Sequence, residues 1–518
     1  MTPPPAQSEP TRRRLRRTLW NVLFASVGYI AIRMVIAPVR IKLLTSLLSK
    51  EDYGLLTLIM LTVSFTTLIT SLGSLEFMLR KLPGRDADFQ FKTLRTVMTY
   101  FGLLAGAVGL TAVCLLVAWQ PAKLGLGPGE LIACGLILLC TVHLTQLVYF
   151  LMGRTAYAQS RLLMLLYADA WFLPLLGFMW YIELTIAFML WLWVVWLFLS
   201  LLLALVYVRF RELLRRRASP GLLKQVLGFG LPLLPMIMGE WIFQMQDRYV
   251  LLAFTDLEAL ANFTLCYNIA WVGVSTGGSM LDVLIAEFYK ARNRIASNRL
   301  DDLLASANLR TSFTMMLRYG LALGIPMLLV LWIGRLPIIL LLSDAKFADA
   351  ADIMRWVAPL PLLYLMVIVT GRILLAIDRG SIVGTGTLCA AGLHLVLSLL
   401  LVPLLAERGV ALAGCTAYGV LAIYLGVRAR LFRWIDWAEL RPVRLLAFGL
   451  LTALGLHGAV HLLEGRNFFT LLAAGLFSLA AMFALGVVRK ADLQHLTTSM
   501  HTPHDPDEAT LPEPFARD

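Results

Sequence analysis

The groups in this chain best suited to chemistry are arginines and carboxylates set inside long apolar runs. Arg33 stands in the run that follows an arginine-rich N-terminus, and Arg40 lies seven residues on, on the same face of a helix, with Lys42 close behind. Glu240, Gln244, Asp247 and Arg248 recur at helical spacing along one stripe of a later run. Arg80 and Glu287 stand near the ends of two further runs, Asp282 lies inside the same run as Glu287 and Asp169 inside another, and Arg318 and Arg372 add cations to two more. An ionisable group deep in a bilayer is costly, so it is kept where it faces a polar interior or a partner. A guanidinium in such a place offers an anion a planar fork of donors and stays charged. A buried carboxylate offers a counter-ion or, with a raised pKa, a proton carrier. Asp169 and Asp282 are therefore candidates for ion coupling, although each reads first as a carboxylate neutral or paired inside a helical bundle. His143 and His394 titrate near neutrality when free, but a lone histidine in a bundle reads first as hydrogen-bonded packing.

The elements that position these groups follow from composition. Of 518 residues, 59% are hydrophobic and 15% charged, too little charge to cover a soluble chain of this length. Lipid must solvate much of the exterior. The expected fold class is all-α, a polytopic membrane protein of about fourteen spanning helices of roughly 20 residues each. The first six are expected at residues 19–45, 54–78, 94–118, 129–152, 162–181 and 184–208. The next six are expected at 225–250, 259–286, 311–333, 350–376, 381–404 and 409–428, and a last pair at 443–463 and 468–488. Residues 1–18 read as a basic cytoplasmic N-terminus leading into an uncleaved first helix, because the apolar run exceeds a signal-peptide core. Residues 491–518, polar and proline-containing, read as a disordered cytoplasmic tail.

Lys and Arg in the short connections set the orientation. With the N-terminus cytoplasmic, the even-numbered connections carry most of the base: Arg80, Lys81, Arg85, Lys92 and Arg95; then Arg154 and Arg161; then the run Arg209–Lys224. Later ones carry Lys290, Arg292, Arg294 and Arg299, and Arg428–Arg444. The odd connections hold few cations, Lys50, Lys123, Arg335, Lys346, Arg408 and Arg466 among them. The net charge of +13 is thus loop charge. No segment is long enough to be a basic soluble domain, so no nucleic-acid partner is expected. The six cysteines lie in apolar stretches without metal-ligand spacing, and no Walker motif or nucleophile elbow occurs. No catalytic residue, cofactor or metal is expected.

Sliding the chain on itself by 207 residues lays helices one and two on seven and eight, with Leu44 on Leu251, Thr57 on Thr264 and Leu58 on Leu265. The repeat is parallel. It divides the chain into an N-terminal six-helix bundle (19–208), a basic linker (209–224), a second six-helix bundle (225–428) and an extra helix pair (429–490). At this offset Arg33 meets Glu240, Arg40 meets Asp247 and Arg80 meets Glu287.

Four motifs then carry a resemblance. They are S-K-E-D-Y-G at Ser49–Gly54, L-G-S-L-E-F-M-L-R-K-L-P-G at Leu72–Gly84, G-F-G-L-P-L-L-P with D-R-Y-V-L-L within Gly228–Leu252, and E-R-G-V-A-L-A-G-C-T-A-Y-G at Glu407–Gly419. In this order the chain resembles the polysaccharide (Wzx-type) flippases of the MOP superfamily, which also holds the MATE exporters and lipid II flippases. It departs from them in having Ala261 and Phe263 after the seventh helix. The resemblance implies two bundles with alternating access and, as partner, an undecaprenyl-diphosphate-linked oligosaccharide such as an O-antigen or exopolysaccharide repeat unit. It further implies a bacterial inner membrane, with polysaccharide polymerase or export machinery as neighbours. Arg33, Arg40, Glu240, Gln244 and Arg318 are then expected around the cargo cavity, with Arg33 on the diphosphate and Glu240 as its partner when the site is empty. Arg40–Asp247 and Arg80–Glu287 are expected as gates at opposite mouths. Asp247–Arg248 also reads as a fixed pair, and Arg40, Lys42, Arg80 and Glu287 lie near enough to helix ends to snorkel. Competing functions are a MATE-like ion-coupled small-molecule antiporter, against which Arg33 and the extra pair argue, and a non-transporting subunit of an export complex. A membrane glycosyltransferase is disfavoured by the short loops.

Overall fold

A computed structural model describes residues 28–29, 31–83, 85–119, 125–154, 156–178, 185–293, 295, 300–377, 379–463 and 467–488. Within these, some side chains lie outside the described set, including those of Glu240, Gln244, Asp282 and Glu287. All elements described are helical. Helix α1 covers 31–47. It is followed by α2 (Lys50–Ser71), α3 (Ser74–Lys81), α4 (Ala87–Trp119), α5 (Pro128–Gly153), α6 (Tyr157–Met164), α7 (Leu175–Phe178), α8 (Ile186–Tyr207) and α9 (Phe210–Leu214). Then come α10 (Pro220–Gly230), α11 (Leu234–Phe254), α12 (Leu257–Asn293), α13 (Leu300–Ala305), α14 (Ala307–Ile333), α15 (Arg335–Leu342), α16 (Ala350–Val357) and α17 (Leu360–Ala376). The chain continues through α18 (Gly380–Leu405), α19 (Glu407–Arg428), α20 (Leu431–Trp434), α21 (Trp437–Leu440), α22 (Pro442–Leu462) and α23 (Asn467–Ala484).

Ten stretches among the described residues are long and apolar enough to cross a membrane. They fall on ten of the expected segments. The first, fifth, seventh and eighth expected segments carry α1, α6, α10 with α11, and α12. Two of these are broken for visible reasons. α6 passes into a π-helical turn at Leu165–Asp169, and the chain then turns through Ala170–Pro174 before α7. α10 and α11 are joined by a 3-10 turn at Leu231–Leu233, where Pro232 has no N–H to give to a helical ladder. The exterior is apolar. On α22, Val443, Leu446, Leu450 and Leu454 form one stripe, each more than 65% exposed. Water would penalise that face, and acyl chains solvate it.

Helix ends are set by local chemistry. Ser49 caps α2, its Oγ accepting from Asp52 N–H at 3.0 Å, and Glu51 and Asp52 complement the positive end of the helix dipole. α2 stops at Leu72 and Gly73, which have φ of 43° and 74°. The left-handed geometry at Gly73 suits glycine, and a Cβ there would collide with the Gly230 backbone.

Packing sorts the helices into two groups. In the first, α5 is central and touches α2, α3, α4, α6 and α8. In the second, α12 packs on α14, α16 and α17, and α11 on α18, which lies along α19. A chain of rings, Tyr267, Trp271, Tyr364, Tyr418 and Phe243, runs through this second group with neighbouring centroids 4.1–5.8 Å apart. α22 and α23 pair and lean on α14 and α15. The groups meet where α2 lies along α11 and α12 and where α10 crosses α3 and α4.

Candidate functional site

In the first group, Tyr29 just ahead of α1 and Arg33 and Arg40 on α1 face the π-helical turn that follows α6. Arg33 Nε sits 3.3 Å from Asp169 Oδ1, and Tyr29 O–H donates to Asp169 Oδ2 at 3.2 Å. Arg40 Nη1 donates to the Ala168 carbonyl at 3.1 Å. The π-helical turn places these acceptors. It loosens the ladder between residues 165 and 169, so a main-chain oxygen and a carboxylate both face α1. Trp196 Nε1 of α8 holds the turn from behind by donating to the Leu166 carbonyl at 2.9 Å. Arg161, about two turns earlier on α6, lies 5.3 Å from the Tyr29 ring. Asp169 is buried, whereas the Arg33 side chain is 47% exposed, so the guanidinium is anchored by one edge and open on another.

One end of the molecule is closed by a seam between the groups. Lys50 Nζ reaches Glu258 Oε1 at 2.5 Å and Asp349 Oδ2 at 3.4 Å. Lys42 Nζ donates to the carbonyls of Ser343 (2.5 Å) and Leu340 (3.2 Å), and Lys346 Nζ to that of Leu48 (2.6 Å). Asp344 N–H donates to Thr45 Oγ1 at 3.2 Å, and Tyr53 packs edge-on against Phe347. Gly54 lets α2 press on the start of α12, because a Cβ there would overlap the Leu257 carbonyl. Nearer the middle, Phe65 stacks on Trp241, and the Thr62 and Tyr249 hydroxyls are 2.8 Å apart. At the opposite end Gly73 meets Gly230, and Phe77 lies edge-on to Phe229, over which Arg80 is placed at 5.9 Å. An ion pair between Arg216 and Asp88 lies at that same end.

Among the described residues, the cations expected at the cavity and gates have the following partners. Arg33 takes Asp169, Arg40 takes a carbonyl of its own group, and Arg80 lies 4.0 Å from Glu76, one turn away on α3. Asp247 pairs with its neighbour Arg248 at 2.9 Å, and Arg248 stacks over Tyr267 at 4.0 Å. This fits the fixed-pair reading: a buried carboxylate takes the nearest cation, and here that is one residue away. His394 Nδ1 donates to the Phe243 carbonyl at 2.9 Å beside the pair. Arg318 lines no open space. It is fully buried and donates to Glu439 Oε1 at 2.6 Å and to the Glu439 carbonyl at 3.1 Å, tying α14 to the turn before α22. The side chains of Glu240, Gln244, Asp282 and Glu287 lie outside the described residues.

A family model described as polysaccharide biosynthesis protein matches residues 43–352. The chain belongs to the polysaccharide biosynthesis protein family. No curated protein matches it. Among solved structures, this polysaccharide biosynthesis protein is similar to the lipid II flippase MurJ in an inward closed conformation, at 12% identity and a TM-score of 0.67, covering 91% of this chain and 99% of that one. It is also similar to a multidrug resistance MATE family transporter of the MOP superfamily in an inward-facing conformation, at 14% identity and a TM-score of 0.58, covering 79% and 95%. A MOP superfamily transporter from Pyrococcus furiosus aligns at 13% identity and a TM-score of 0.50, covering 83% and 95%. The fold of this polysaccharide biosynthesis protein is therefore the one these structures share, and the protein is a multi-pass membrane protein. The fold is the one seen in these flippase and transporter structures.

Two features of this member were not read from its sequence. One is the Arg33–Asp169 pairing, which the isolation of both charges in apolar runs could have signalled. The other is the seam through Lys50, Glu258 and Asp349, whose residues sit at loop edges where no periodicity marks them.

Proposed function

We propose that this protein is a flippase that carries an undecaprenyl-diphosphate-linked oligosaccharide across the bacterial inner membrane by alternating access. The observation that carries this reading is Arg33, a guanidinium in an apolar helix, pinned at Nε by a buried carboxylate and otherwise half open. The Nη edge, which bonds to no described residue, suits a phosphate oxygen pair. Arg40 and Arg161 add positive charge nearby, and an excess of guanidinium over carboxylate favours an anionic headgroup over a cationic drug. On this reading the Lys50 end faces the periplasm and is shut, and both termini are cytoplasmic. Residues 19–208 and 225–428 move as two bodies, with the pair at 429–490 riding on the second. Exposed ion pairs contribute only about 0.2–1 kcal/mol each, so a seam of this kind opens reversibly. The released oligosaccharide passes to polymerase or export machinery.

The test is removal of the gene. The expected result is lipid-linked oligosaccharide trapped in the cytoplasmic leaflet, restored to export by the wild-type chain and not by Arg33→Ala. Normal surface glycan with altered drug tolerance would overturn the reading in favour of an antiporter.

A further inference from the structure

The arginine cluster has a countable charge. Arg33, Arg40 and Arg161 supply three guanidiniums around the α6 end, and Asp169 is the one carboxylate among the described residues that bonds to any of them. The groups packed against Asp169 leave that count unchanged. Tyr29 comes from just ahead of α1 and Arg33 from α1, with Arg40 on the adjoining carbonyl; from its own helical segment come Arg161 and Tyr167. Tyr167 lies 3.4 Å from Thr145 of α5, and α8 contributes the Trp196 N–H. Glu76 on α3 faces Arg80. Among the described residues the cluster thus carries a net charge of two positives.

A sugar linked through a lipid diphosphate is a diester and bears two negative charges. The same lipid diphosphate without its sugar is a monoester, whose terminal phosphate loses a further proton with a pKa near 6 and so bears about three near pH 7.5. Uncompensated charge in a low-dielectric site is costly. We propose that Asp169 sets the charge of the arginine cluster to match the sugar-linked diester, so that the site discriminates it from the naked lipid diphosphate. This rests on the transport reading above. With the diester bound, the cluster is neutral. With the monoester bound, one negative charge is left over.

The experiment measures binding of two short-chain prenyl probes, a sugar-linked diphosphate and the free diphosphate, to the full-length protein in nanodiscs, with prenyl alcohol as the uncharged control. In wild type at pH 7.5 the diester should bind tighter, and the preference should fade at pH 5.5, where the monoester regains its proton. Asp169→Asn makes the cluster one charge more positive and should move the preference about tenfold toward the free diphosphate. Arg161→Gln makes it one charge less positive and should move it about tenfold the other way, while Asp169→Glu should keep the wild-type ratio. A purely structural role for Asp169 would lower both affinities and leave the ratio and its pH profile alone. Both probes binding with a ratio that neither Asp169→Asn nor Arg161→Gln moves overturns the charge-matching proposal alone. Neither probe outcompeting prenyl alcohol on wild type overturns the transport reading and this proposal together.

Discussion

At the scale of single residues, Arg33 and Arg318 show how similar sequence contexts end in different tasks. Both are arginines inside apolar helices. Arg33 keeps an open face, and Arg318 has none. Arg33→Ala should reduce oligosaccharide translocation by roughly 10- to 100-fold, the worth of a charge-assisted hydrogen bond of about 1.5–3 kcal/mol, and Arg33→Lys should recover only part of it because an ammonium cannot present a fork. Export assays in the deletion background measure this. Arg318→Ala should instead act on stability. It leaves Glu439 without its guanidinium and should cost about 3 kcal/mol or more, read as a lowered Tm in detergent, while replacing both residues with Met and Leu should cost much less. Arg33 was legible in the sequence because charge at that depth is rare. Its partner is less so, because apolarity starts the fifth helix only at residue 162 and leaves Arg161 in the preceding loop. The helix begins at Tyr157, with Arg161 lying over Tyr29, and this sets Asp169 five residues deeper, level with Arg33.

At the scale of elements, long apolar runs made most helices legible, and their breaks less so. The π-helical turn at Leu165–Asp169 carries no periodic signal, since a single widened turn shifts the face of only a few residues. The contacts of α2 depend on two glycines that a hydropathy profile passes over. Gly73→Ala should strain a left-handed residue and force α3 from α10, lowering Tm and expression together. Gly54→Leu acts at the other end of the same helix. It should hold α2 off the start of α12, so a cysteine placed at Asp344 becomes faster to label with a membrane-impermeant maleimide. Lys50→Glu should do the same more gently, because it sets like charges against Glu258 and Asp349. Unchanged labelling in both variants would mean that this end is not a gate.

For the whole molecule, the alternation of basic and base-poor connections predicts that a phosphatase fused after Asp349 is active outside the cell and one fused after Arg217 is silent. Such fusions also test which way the closed end faces. Sequence could propose two halves from a faint repeat, but it drew the charges of one half toward those of the other. Among the described residues Arg80 and Asp247 take partners within one turn of their own helix, while Arg33 reaches Asp169 inside the first half. What does join the halves is bonded unusually. Two of the three lysines at the closed end, Lys42 and Lys346, donate to main-chain oxygens of residues 340, 343 and 48 rather than to acidic side chains. Every amino acid brings a carbonyl. The acceptor side can therefore drift through many substitutions over evolutionary time without losing the fastening, provided the two donors are kept, and divergent relatives could preserve the closure while sharing little recognisable text there.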